Sequence, residues 1–244
     1  MKALGLEPGE PVLEIGPRRG ALTQLLTQHD GPMTLVEKDD DLAHALSDRY
    51  GERGVRVLNL DATKLVLAPL VLPGQKLKIV ANLPYNAGTP ILLNLLRQRD
   101  RVARLVLMFQ REVANRLTAR PGDRNCGALS LQVQAQAKVE ALFDVSPERF
   151  IPRPKVWSSV VRITPLALDA PRAAIVDDPG FEGFLRALHA QPRKTVSNSL
   201  ADGLMWERAP IEAALVAIGI DLRARPCTVT PDQAIRLWQV MGSR

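Results

Sequence analysis

The sequence predicts an α/β fold: a mostly parallel sheet with helices on both faces, followed by a small all-helical domain. Three observations carry this. Short apolar runs alternate with amphipathic segments from residue 11 to residue 163, the pattern of strand–helix–strand units. From Gly180 onward only helical periodicity remains. Glu14, Glu37, Asp61 and Asn82 fall at or near the ends of successive predicted strands, where open α/β sheets hold their ligands.

The elements follow in order. Residues 11–15 read as a first strand, and residues 21–28 as the helix after a glycine-bearing turn. Residues 33–37 form a second strand and 39–50 a helix, whose Asp39-Asp40-Asp41 run suits a helix N-terminus better than a metal site. Strands are predicted at 55–60, 77–81 and 104–109, with a helix over 90–96 between the last two. Residues 112–118 and 129–137 read as helices, and 139–145 and 158–163 as late strands. Between those strands lies a segment with three prolines, Pro147, Pro152 and Pro154. Residues 165–179 are rich in Pro, Ala and Asp and read as a linker. Helices follow at 181–190, 195–204, 211–217 and 232–241, the last opening after Pro231. The expected domains are therefore 1–165 and 180–244, joined by 166–179.

The 244 residues and 46% hydrophobic content suffice for one large domain and one small one. With only 4% aromatic residues, the core must rest on Leu, Val, Ile and Ala. No apolar run reaches the roughly 18 residues of a membrane span, and residues 1–5 hold no signal-peptide core. Cys126 and Cys227 lie far apart in sequence without ligand spacing, so free thiols, no structural zinc and a cytoplasmic location are expected. His29, His44 and His189 are isolated and read as surface or capping residues.

The net charge is +6. Residues 166–244 hold 9 basic and 9 acidic side chains, so the excess belongs to the first 165 residues. There, Arg97, Arg99, Arg101, Arg104, Arg111, Arg116, Arg120 and Arg124 face only Asp100, Glu112 and Asp123. Guanidinium groups bind phosphate bidentately, so nucleic-acid contact through Arg111, Arg116, Arg120 and Arg124 is expected. A solvated helix face is the plainer alternative.

Asn82-Leu83-Pro84-Tyr85 follows the predicted strand 77–81. An ordinary turn would account for it, yet the four residue types together suit one chemical task. The exocyclic amine of adenine is a poor nucleophile because its lone pair is delocalised. Two acceptors on its protons, the Asn82 side-chain oxygen and the Leu83 carbonyl, would make the nitrogen more tetrahedral. Pro84 stiffens the turn, and Tyr85 offers a stacking face worth roughly 1–3 kcal/mol.

The loop Glu14-Ile15-Gly16-Pro17-Arg18-Arg19-Gly20 follows the first strand. Its glycines allow close approach of a ligand, and Glu37 stands where an acid binds ribose hydroxyls in dinucleotide folds. An acid before the loop, Glu14, fits a cofactor bearing an amine better than a pyrophosphate. S-adenosylmethionine is such a cofactor, and its sulfonium supplies the electrophile that the Asn82–Tyr85 site needs. Asp61 would accept from the adenine amine of the cofactor, or else cap a turn beside Thr63.

With these residues assembled, the chain resembles the KsgA-type rRNA adenine N6,N6-dimethyltransferases over about residues 11–240. The likeness rests on Val12-Leu13-Glu14-Ile15-Gly16-Pro17, Leu35-Val36-Glu37, Leu60-Asp61-Ala62, Asn82-Leu83-Pro84-Tyr85-Asn86 and Phe109-Gln110-Arg111-Glu112-Val113-Ala114. It continues through Phe150-Ile151-Pro152-Arg153-Pro154-Lys155-Val156 and Arg193-Lys194-Thr195. The resemblance implies a class I methyltransferase (Rossmann-like) sheet of seven strands, the last antiparallel. It implies a monomer that dimethylates two adjacent adenosines in rRNA of the small ribosomal subunit precursor. It places Glu14, Gly16, Gly20, Glu37, Lys38, Asp61, Ala62 and Asn82 around S-adenosylmethionine. Asn82, Leu83, Pro84 and Tyr85 hold the flipped adenine, with Phe150 as the opposite stacking face offsetting the cost of extrusion. Arg153, Lys155, Arg193 and Lys194 are implied backbone contacts, a solvated helix turn being the alternative for the last two. No metal and no catalytic His is implied.

The chain departs from the family pattern in three ways. It starts too late for an arm with a Gln-x-Phe-Leu-like segment that helps close the cofactor site. Cys126 stands where an aromatic is frequent. Arg18 replaces a glycine; at positive φ it would be strained by roughly 1–2 kcal/mol, and its side chain is expected to crowd the methionine end of the cofactor. These departures motivate one alternative, an rRNA-binding assembly factor without activity. A second alternative is a large-subunit rRNA adenine methyltransferase, against which Arg193-Lys194-Thr195 and the helical tail argue.

Overall fold

The computed structural model describes residues 2–242; Met1, Ser243 and Arg244, at which the two expected domains begin and end, lie outside the described residues. The chain forms two compact units. One comprises the residues up to Ala114 together with Lys138–Pro165, the other Asn115–Ala137 together with the residues from Leu166 on.

The first unit is built on a sheet of β1 (Val12–Ile15), β2 (Met33–Glu37), β3 (Arg56–Asn59), β4 (Leu77–Asn82), β5 (Val102–Gln110), β6 (Ala137–Val145) and β7 (Ser158–Pro165). Their order is β3-β2-β1-β4-β5-β7-β6. The pairs among β1 to β5 are parallel, and β7 runs antiparallel to β5. Every residue of β1 and β2 is buried, as expected of parallel strands covered on both sides. Leu13, Leu35, Ile79, Leu105 and Leu107 are fully buried. The strand order reverses between β1 and β4, and right-handed crossovers then send α2 (Asp40–Tyr50) and α3 (Gly88–Arg97) to opposite faces.

Local chemistry sets the element ends. Asp39 caps α2 by accepting from the Leu42 amide at 3.0 Å, with Asp40 and Asp41 in the first turn. The run of three aspartates is thus a helix start, as its sequence suggested. The expected helix over 21–28 shrinks to α1 (Thr23–Leu26). Thr23 is buried and donates to Glu14 instead of facing solvent.

The second unit consists of helices: α5 (Ala128–Gln134), α6 (Ala170–Val176), α7 (Pro179–His189), α8 (Val196–Leu204), α9 (Arg208–Ala217) and α10 (Pro231–Met241). Phe181, Phe184, Leu200, Leu215 and Leu237 share one core with Ala119, Cys126, Leu131 and Ala135.

This core corrects the expected domain limits. Residues 115–137 belong with the helical unit rather than with the sheet, because α5 packs on α7 and α10. The segment 166–179 is no linker. Asp169 accepts from the Arg172 amide at 2.8 Å and opens α6, with Pro171 in the first turn, where the missing N–H costs nothing. The helix expected over 129–137 stops at Gln134, and Ala137 already begins β6.

The arginines expected to form one patch are likewise divided. Arg97 to Arg111 lie in the first unit and Arg116 to Arg124 in the second. Arg104 is no surface cation. It is half-buried, and its Nη1 donates to the Leu4 carbonyl at 3.1 Å. Cys126 and Cys227 are both free and touch the same helical core; burial pushes the Cys126 thiol up to about 11.

Candidate active site

A cleft of about 1020 Å³ opens beyond the carboxyl ends of β1 and β4, in the first unit. This is the point where the strand order reverses, the ligand position of open α/β sheets. Glu14, Gly16, Arg18, Arg19, Glu37, Asn82 and Pro84 are among its walls. A smaller cavity of about 270 Å³ adjoins it, walled by Asn82, Leu83, Pro84, Tyr85, Phe150 and their neighbours.

Glu14 points from a fully buried strand and accepts from the Thr23 hydroxyl at 2.7 Å. Burial pushes its carboxyl up to about 7, the charge of Glu37 adding to the rise and the Thr23 bond opposing it. The carboxyl is therefore poised to ionise when a cation arrives. Gly16 has φ of 67°, and a Cβ there would sit 3.4 Å from the Asn82 carbonyl. A side chain would thus be strained and would press on the tip of β4. Gly20, at φ of 80°, lies over the Tyr50 ring, whose hydroxyl would be 3.1 Å from a Cβ. Its glycine is explained by that packing, and it is not among the cleft walls.

Glu37 ends β2 and is buried. One carboxylate oxygen accepts from the Lys38 and Asp39 amides at 2.9 and 3.1 Å, the other from the Arg18 amide at 3.0 Å. The second oxygen, held by a single amide, retains capacity for a ribose hydroxyl. Arg18 has φ of 52°, so the strain anticipated for positive φ is present. Its side chain stands in the cleft wall without filling the cleft. Asp61 caps the turn Ala62–Lys64 through the Thr63 amide at 2.9 Å and hydroxyl at 2.7 Å. Its other oxygen pairs with Lys38 at 2.8 Å. Lys38 first, then Thr63, hold the Asp61 carboxyl well below the usual carboxylate range. The turn-capping alternative for Asp61 is thus realised, and Lys38, Asp61 and Ala62 are not among the walls of either cavity.

Asn82 is the exposed last residue of β4, while Leu83 is buried, so its side chain fixes the turn that carries its carbonyl. Tyr85 is 38% exposed. Its hydroxyl meets the Ser158 hydroxyl at 2.9 Å, and Ser158 is fully buried at the start of β7. The ring is thus tethered across β5 to the antiparallel strand. Phe150 is half-buried and lines the same cavity. Ser158 was not singled out from the sequence; the serine pair that opens the strand ahead of Val160 and Val161 was the available signal.

Three of the eight expected RNA contacts sit in ion pairs. Arg111 pairs with Asp144 at 3.5 Å, Arg153 with Glu148, and Lys194 with Asp202 at 2.7 Å. These pairs are solvent-exposed, so each is worth little and can yield to phosphate. Lys155, Arg120, Arg124 and Arg193 are exposed, and Arg116 is exposed on α4 (Arg111–Thr118). Thr195 caps α8 through the Asn198 amide.

The Ribosomal RNA adenine dimethylase family model matches residues 1–235. A ribosomal RNA small subunit methyltransferase A of Acidobacterium capsulatum is 38% identical over 245 residues, covering 100% of this chain and 86% of that protein. Among solved structures, a dimethyladenosine transferase from Plasmodium falciparum shares the fold with a TM-score of 0.82 at 22% identity, over 99% of this chain and 93% of that one. The 23S rRNA methyltransferase ErmE follows at 0.70 and 25% identity, over 99% and 94%. By the extent of these matches and the geometry of its cleft, the chain belongs to the ribosomal RNA adenine dimethylase family.

Proposed function

We propose that the protein is an S-adenosylmethionine-dependent rRNA adenine N6,N6-dimethyltransferase acting on two adjacent adenosines of small-subunit rRNA. The observation that carries this reading is the junction of two cavities at Asn82 and Pro84, one walled by Glu14 and Glu37, the other by Tyr85 and Phe150. The larger cavity has the size of a small-molecule site, and the Gly16 cradle and buried Glu14 suit a nucleoside bearing an ammonium group. Glu14 would hold that ammonium, Gly16 the backbone approach, Glu37 the ribose and Asp61 the adenine edge after exchanging Lys38. Bound there, the cofactor supplies a methyl group on a positively charged sulfur.

The chain's own residues prepare the acceptor. Tyr85 and Phe150 clamp the extruded base. The Asn82 side-chain oxygen and the Leu83 carbonyl accept the two amine protons and turn the lone pair toward the cofactor lobe. The amine proton passes to solvent. The exposed arginines and lysines hold the rRNA backbone. The small-subunit preference is supported by the 38% identity with the ribosomal RNA small subunit methyltransferase A of Acidobacterium capsulatum. Among the described residues, no helix is long and apolar enough to cross a membrane.

The test is methyl transfer from labelled S-adenosylmethionine to undermethylated small-subunit particles, with large-subunit rRNA as a parallel acceptor. Transfer to the small-subunit particles alone is expected. Asn82→Ala should lower turnover by about 100-fold or more, the scale of removing one preorganised donor or acceptor, with an unchanged melting temperature because Asn82 is exposed. Undiminished turnover in that variant would discard the assignment.

A further inference from the structure

The two cavities share five wall residues: Arg18, Asn82, Pro84, Ile151 and Pro152. On the reading proposed above, on which this inference rests, the methyl group passes from one cavity to the other. The reacting carbon therefore lies where the walls are common. Of the five shared residues, only Arg18 carries a charge. Arg18 is exposed, and among the described residues its guanidinium forms no ion pair, its backbone amide alone being bound to Glu37. Arg111, Arg153 and Lys194, by contrast, each face a carboxylate.

The charge balance of the reaction makes this position consequential. The sulfur–methyl bond breaks with its electron pair left on sulfur, which turns from a cation into a neutral thioether. The new bond to the methyl carbon forms from the amine lone pair, and the amine proton goes to solvent. A fixed cation at the junction repels the sulfonium and is indifferent to the thioether. We infer that Arg18 sets the protein's discrimination between cofactor and product, weakening S-adenosylmethionine relative to S-adenosylhomocysteine. At a separation of several ångströms in a partly hydrated cleft, one like-charge pair corresponds to about ten-fold in affinity. A higher product affinity couples turnover to the supply of cofactor over product.

The test is calorimetric titration of the full chain with three ligands: S-adenosylmethionine, S-adenosylhomocysteine, and an analogue bearing an ammonium in place of the sulfonium. Arg18→Gln removes the charge but keeps a side chain at the strained φ. It should shift the ratio of product to cofactor affinity by about ten-fold toward the cofactor. Arg18→Lys should leave the ratio near wild type, and the ammonium analogue should follow the cofactor through the series. Arg18→Gly, which suits the observed φ, should show the same ratio as Arg18→Gln and serves if the glutamine disturbs the loop. A ratio unchanged in both neutral variants overturns the inference while leaving the proposed function intact. So does an analogue that follows the thioether. A wild-type protein that binds none of the three ligands overturns the proposed function and this inference with it.

Discussion

A carboxyl group on a fully buried strand has to be either paired or neutral, and Glu14 has only a hydroxyl for company. Burial pushes its carboxyl up to about 7, from an ordinary value of 4.5. Between those two values the native state holds a proton that the unfolded chain has released. Stability must then fall as pH rises across this window and level off above it, by on the order of 3 kcal/mol. Glu14→Gln keeps an acceptor for Thr23 and has no charge to bury. Chemical denaturation at about pH 5 and about pH 8 should show that slope in the wild type and its loss in the variant. A parallel pH response in both proteins would mean that another group is responsible. The same proton links to ligand binding. An ammonium favours ionised Glu14, so affinity for S-adenosylmethionine should rise about ten-fold from pH 6 to pH 8 in the wild type and stay flat in Glu14→Gln.

The active-site geometry depends on how β4, β5 and β7 lie side by side. Asn82 pairs with Met108 on β5, and Gln110 of β5 pairs with Ser158 of β7. The antiparallel β7 thus begins where the parallel strands end, and its first residue can reach Tyr85. Ser158→Ala removes the tether but leaves the ring half in water. Turnover should fall by about two- to ten-fold, the range of one hydrogen bond, with Tyr85→Phe giving a similar loss. The double variant should be no worse than either single one; additive losses would show that the two hydroxyls act separately. The sequence made the strands and the Asn82–Tyr85 turn legible, because buried parallel strands read as apolar runs and the turn follows one directly. The tether stayed hidden because it joins residues 85 and 158 through a pairing that no local pattern encodes. The turn-capping role of Asp61 was visible from Thr63 two residues on. Its pairing with Lys38 depends on β2 and β3 lying side by side and was not. The helix α6 is hidden for another reason: the Pro, Ala and Asp content of 165–179 suggests a linker, although Asp169 two residues before Pro171 is a helix-start signal.

At the level of the whole molecule, the helical unit is discontinuous in sequence. The sequence pattern alone suggests that residues 180–244 stand by themselves, since only helical periodicity remains from there on. Packing disagrees. Leu131 and Ala135 on α5 and its end, with Ala119 and Cys126 before it, are buried in the same core as Phe181, Phe184 and Leu188. Without them a face of α7 would be bared to water. Each lost large side chain costs about 2–5 kcal/mol, against a total stability of about 5–15 kcal/mol for a domain. A polypeptide of residues 180–244, or one of 166–244, should therefore show no cooperative thermal transition and poor dispersion in its proton NMR spectrum. Leu131→Ala in the full chain should destabilise the protein by about 2–5 kcal/mol. A cooperative melt of the 180–244 polypeptide would instead place the boundary where the sequence pattern suggests it, and would reduce α5 to a surface decoration of a core that is complete without it.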